Sequence, residues 1–167
     1  MQSSTLSTQS SSHPYCIATI VTAKAIEALL EASGEGNYRD EHPWLVARDL
    51  LAAAQAAEQA LPIMFASLAD DGSPAAFTHW SVIRDIDVVE LHRGQWDTRC
   101  AFGTLAPVNP IWEPIDSLLI KASSEQMERE SREAIRVSRQ PLDEHHIHPY
   151  AICETPAFIE EALRAGA

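Results

Sequence analysis

Two apolar, strand-like runs meet across an Asp-Asp-Gly turn, and this pairing constrains the fold more than any other feature of the chain. PIMFASLA (residues 62–69) is followed by Asp70, Asp71 and Gly72, residue types that tolerate a positive φ, and then by AAFTHWSVI (residues 75–83). Aromatic and β-branched residues fill the second run, so the two predict an antiparallel hairpin. DIDVVELHR (residues 85–93) alternates and reads as another strand or as a continuation of the same one. RCAFGTLAPV is a further extended segment, broken by Gly103 and Pro107, and YAIC (residues 150–153) is the candidate last strand.

Helical spacing brackets these strands. Ile17, Val21, Ala25 and Leu29 form one stripe with Ile26 and Leu30 beside it, which predicts a helix over residues 17–33 ended by Gly34. EGNYRDEHP then reads as a loop. A second helix is expected from Pro43, with Val46, Leu50, Ala53 and Ala57 on its stripe and Pro62 closing it. NPIWEPIDSLLIKA reads as a loop that enters a short helix or strand at Ile115. Residues 123–136 return to helix, opened by a Ser-x-x-Gln or a Ser-x-x-Met cap. PAFIEEALRA predicts a terminal helix with Pro156 in its first turn. The expected fold is therefore α+β: two N-terminal helices, an antiparallel strand meander, a helix, a final strand and a C-terminal helix. The polar residues 1–14 read as a disordered tail and residues 15–167 as a single domain.

Charge narrows the partners. With 24 acidic against 12 basic residues the net charge is −12, which disfavours phosphate backbones and makes a basic protein partner easier. The polar start lacks the features of a secretory signal, and no apolar run approaches the ~20 residues of a membrane span, so a cytoplasmic location is expected. Cys16, Cys100 and Cys153 have no zinc-motif spacing and read as reduced thiols. Nothing in the sequence shows a lowered thiol pKa that would make Cys153 or Cys100 a nucleophile. Asp143-Glu144-His145-His146-Ile147-His148 is the densest polar cluster. His145, His146 and His148 are weak metal-ligand candidates, the default being a surface loop and no metal.

A series of short motifs carries a family resemblance. His42-Pro43-Trp44, Leu61-Pro62, Pro74-Ala75-Ala76-Phe77, Trp80, Trp96 and Ala106-Pro107 follow one another over residues 42–108. This order resembles the toxin-activating lysine acyltransferases, a GNAT-like family, and the predicted element order resembles the GNAT acyltransferase fold. The resemblance implies that His42 is the general base or the acyl acceptor, and that a nearby Asp assists it. The family's Asp position is occupied here by the Phe102–Leu105 stretch, and the nearest acids are Asp97 and Asp116, of which Asp97 is the candidate partner. The resemblance also implies acyl carrier protein as donor and a protein lysine as acceptor, although that acidic donor would have to approach a −12 chain. No Gln/Arg-x-x-Gly-x-Gly/Ala loop is present for coenzyme A, so no cofactor is expected.

Trp44, His79, Trp80 and Trp96 are the candidate substrate-binding residues. Core or rim packing is the default role of the tryptophans. Two other readings compete. In a PUA-like barrel built from residues 62–121 and the last strand, His79 and Trp80 would line a ligand pocket. An acidic immunity or inhibitor protein would need only a charged face toward a basic partner.

Overall fold

The computed structural model describes residues 11–31, 36–67, 75–108 and 113–166. The expected Asp-Asp-Gly turn, Gly34, Pro110 and Trp112 lie outside them. In chain order the elements are β1 (Tyr15–Val21), α1 (Ala23–Glu31), β2 (Gly36–Asp40), α2 (Leu45–Ala56), β3 (Leu61–Ser67), β4 (Ala76–His92) and β5 (Gln95–Phe102). There follow the two-residue strands β6 (Ala106–Pro107) and β7 (Glu113–Pro114), a 3-10 turn at Ile115–Ser117, and α3 (Ser124–Glu133). A second 3-10 turn at Glu144–His146, β8 (Tyr150–Glu154) and α4 (Ala157–Gly166) complete the fold. It is α+β, as expected. The main sheet runs β2-β5-β4-β3-β1-β8, with β6 and β7 also pairing to β4. All its pairings are antiparallel except β1 with β3.

The first predicted helix is half wrong, and the reason is burial on both faces. Ile17 and Val21 of β1 enter one core, with Ile63, Phe65 and Phe102. Cys16 and Ala18 enter the other, with Met64, Phe77 and Trp80. A strand covered on both sides shows no polar alternation. Its residues therefore merge with α1 into one false helical stripe. The true boundary is Thr22, whose hydroxyl accepts a hydrogen bond from Ala25 N–H at 3.1 Å as a helix cap.

Three further expectations change. GNYRD is not a loop but β2, pairing antiparallel with β5 from Gly36↔Phe102 to Asp40↔Thr98. Pro62 does not close α2; the helix ends at Ala56, Glu58 adopts a left-handed φ of 56°, and Pro62 lies inside β3. Val82, opposite it on β4, gives its carbonyl to Gly103 N–H at 3.1 Å, and on the other side His13 O accepts the Thr155 hydroxyl at 2.7 Å, so neither carbonyl needs a proline N–H. Residues 12–14, expected in a disordered tail, are held to the sheet: Ser12 bridges to Ala60, and Thr155 N–H donates to Pro14 O at 2.9 Å.

β4 is the continuous strand on which the layers are hung. Residues 76–83 pair with β3, and Ile83–His92 pair with β5. The strand order is that of an open sheet, not the closed barrel of the alternative reading. β7 pairs with Ala76 and Phe77 at one edge, and Leu119 and Lys121 exchange hydrogen bonds with Glu154 and Ile152 of β8 at the other. Residues 113–121 thus strap across the core that holds Phe77, Trp80, Ile115 and Leu118. On the opposite face α2 turns Ala47, Leu51 and Ala54 inward, one helical stripe of small residues that lets it sit close to the sheet. Ser123 caps α3 through Gln126, the first of the two predicted boxes. No helix among the described residues is long and apolar enough to cross a membrane.

Candidate functional site

The end of β2 and the β4–β5 turn form an open cleft of about 850 Å³. β2 contributes Arg39 and Asp40, the following loop Glu41 and His42, and the hairpin Leu91, Gly94, Gln95, Trp96 and Asp97. The hairpin turns on Arg93-Gly94, with Gly94 at φ +77°, where a residue without Cβ is favoured. Three of the sequence candidates (His42, Trp96 and Asp97) are therefore brought together.

His42 is held by a carboxylate that the motif reading missed. Its Nδ1 lies 2.9 Å from Asp40 Oδ1. An ionised carboxylate can only accept, so Nδ1 carries the proton and Nε2 is left with its lone pair. The side chain of His42 is 59% exposed and that of Asp40 only 11%, so an accessible imidazole sits on a sheltered anion. The second oxygen of Asp40 accepts Trp44 Nε1–H at 2.7 Å. The signal that could have found this is nearness in sequence: Asp40 ends β2 two residues before His42 and four before Trp44.

The backbone under the dyad is fixed from β5. Thr98, buried and opposite Asp40, donates its hydroxyl to His42 O at 2.6 Å and accepts from Trp44 N–H at 3.4 Å. α2 has no side-chain cap of its own; Ala47 N–H in its first turn donates to Tyr150 Oη of β8 at 3.0 Å. One hydroxyl from each of two strands thus positions the loop and the helix that flank His42.

Asp97 does not meet His42. Its Oδ1 accepts from Arg39 Nε and Nη2 at 3.3 and 3.1 Å, and Arg99 Nε lies 3.4 Å from Oδ2. Its charge faces two guanidinium groups, and Asp40 is the carboxylate bonded to His42. Trp44 is completely buried against Tyr150, ring centroids 4.7 Å apart, and acts through Asp40 rather than on a ligand. Trp96 is half-buried and lines the cleft.

His79 and Trp80 do not share a pocket. They are neighbours on one strand, so their side chains leave opposite faces. Trp80 enters the strapped core, while His79 Nδ1 lies 3.0 Å from Thr78 Oγ1 and partial burial lowers its pKa. The His cluster is a cap: Asp143 accepts His145 N–H at 2.9 Å and its ring nitrogen at 2.6 Å, and Asp143 N–H donates to His146 Nδ1 at 3.0 Å. The first of these bonds is the main cause holding the Asp143 carboxyl below its usual range. Among the described residues no group of three or more His, Cys, Asp or Glu side chains is placed to hold a metal ion. All three cysteines are buried and free; burial pushes Cys100 and Cys153 up to about 12 and raises Cys16 as well, the opposite of activation.

No family model, curated protein or solved structure matches the chain.

Proposed function

We propose that the His42 cleft is a general-base site for acyl transfer. The observation that carries this reading is the bond between His42 Nδ1 and the sheltered Asp40 carboxylate, on an exposed imidazole that lines the open cleft. In the reaction Nε2 takes the proton of an acceptor amine or hydroxyl as that group attacks an acyl carbonyl. The tetrahedral intermediate then collapses, the thiol or alcohol of the donor leaves, and the imidazolium returns the proton to it. Asp40 keeps the imidazole in the required tautomer and offsets its charge when protonated. Arg39 is the basic group of the cleft lining and is paired with Asp97, beside Asp40 and Glu41.

This reading retains His42 as the base implied by the toxin-activating lysine acyltransferases, with a non-coenzyme donor such as acyl carrier protein and a protein lysine as acceptor. It rests on the dyad and not on GNAT topology. Among the described residues the first element is the strand β1, and β1 pairs parallel with β3 from Ile17↔Ile63 to Val21↔Ser67.

The test is acyl transfer from nitrophenyl esters of graded chain length, and from acylated carrier protein, to a lysine-containing peptide. His42→Ala should lower the rate about 100-fold or more and Asp40→Asn should act in the same direction. Turnover that His42→Ala leaves unchanged overturns the assignment.

A further inference from the structure

A second cleft, of about 450 Å³, shares no lining residue with the His42 cleft. It opens where β5 leaves β4. Gly103 is the last residue held there, through its N–H to Val82 O, and the chain rejoins β4 three residues later as Ala106 opposite Trp80. Ser81, buried below, donates its hydroxyl to the carbonyls of Gly103 and Thr104 at 2.9 and 3.2 Å, which ties the bowed segment down. Leu51, Leu163, Trp80 and Ala106 supply apolar walls, and Gln55 and Gln59 supply amides.

Arg84 is the one charged residue of this lining, in a chain where acids outnumber bases two to one. Its guanidinium lies over Gly103: a Cβ there would stand 3.3 Å from Nη2, 3.6 Å from Nε and 3.7 Å from Cζ. The Nε and Nη2 side of the group is thus turned toward Gly103. Five donors allow it to serve a protein partner and a ligand together. Gly103 leaves the room for this arrangement.

We infer that this cleft binds a small organic monocarboxylate with an apolar, ring-sized body. The carboxylate meets Arg84 through paired N–H bonds, and the body lies against Trp80, Ala106 and Leu163, which share one face of the sheet. The volume fits a ligand of that size. The inference does not depend on the His42 assignment.

The probes are benzoate and its neutral isostere benzamide, titrated into the full, isotope-labelled chain and followed by amide and indole NMR shifts. Benzoate should move Ser81–Arg84, Gly103–Ala106 and the Trp80 indole, and bind at least about tenfold more tightly than benzamide. Arg84→Gln should erase that preference while leaving benzamide unchanged. Gly103→Ala, which displaces the guanidinium without removing it, should weaken benzoate alone and covers the case in which Arg84→Gln fails to fold. Equal binding of the two probes, no shift up to about 10 mM, or shifts confined to the His42 cleft would each overturn the inference.

Discussion

Replacing Thr98 by Val tests whether the backbone below His42 is held as described. Valine keeps the shape and the β-branch, so no cavity is made, but both hydroxyl bonds go. Thr98 is 1% exposed, so water cannot substitute freely for the lost group. The 2.6 Å bond to His42 O is short and strong, whereas the 3.4 Å bond from Trp44 N–H is long and contributes less. Stranding one sheltered carbonyl costs about 1–3 kcal/mol, and the weaker bond adds a fraction of that. At roughly 2–4 °C per kcal/mol for a chain of this size, Tm should fall by about 4–10 °C. Thr98→Ser retains the hydroxyl and loses one buried methyl, roughly 0.8 kcal/mol, so it should lie between the two. Calorimetric melts of the three proteins provide the assay. A Val variant within about 1 °C of the parent, or more stable than the Ser variant, would refute the reasoning.

Gly36→Ala should destabilise, because the new Cβ would stand 2.4 Å from Phe102 Cε2 in a fully buried ring packed 5.1 Å from Phe65; an overpacking cost of about 1–3 kcal/mol is expected in urea melts. Glu130 accepts Arg139 N–H bonds, which chiefly hold its carboxyl at about 2 against an ordinary 4.5. A depressed carboxylate contributes stability that is complete above its ordinary value and lost as pH falls toward the folded one. The Tm gap between the parent and Glu130→Gln should therefore close as pH falls from 4.5 to about 2, as followed by circular dichroism. The three thiols should stay silent toward a disulfide reagent in the native protein and react together once it is unfolded in urea, read by absorbance.

Legibility in the sequence followed the physics of each element. β3 and the first half of β4 carry aromatic and β-branched side chains, and α3 carries its own Ser123-x-x-Gln126 box, so local chemistry alone reveals them. β1 was hidden because two cores bury both its faces, and no period survives in YCIATIV. β2 was hidden because GNYRD is loop-like in composition; its strand character is supplied by register with β5, a long-range effect. His42 stands in a short motif legible in the sequence, whereas the pairing of Asp97 with Arg39 and Arg99 comes from strand register. Asp40 stands two residues from His42, at the end of a strand that only register with β5 reveals. Thr98 and Tyr150 could not be seen, since their hydroxyls reach the site from 56 and 103 residues away in sequence, onto His42 and Ala47.

The most direct measurement is the tautomer of the His42 ring by long-range proton–nitrogen NMR at a pH where the ring is neutral, in the parent and in Asp40→Asn. The account predicts a proton on Nδ1 and a bare Nε2 in the parent, with that preference weakened in the variant. A parent ring that carries its proton on Nε2, leaving no lone pair directed at the cleft, would contradict the dyad and the acyl-transfer function built on it.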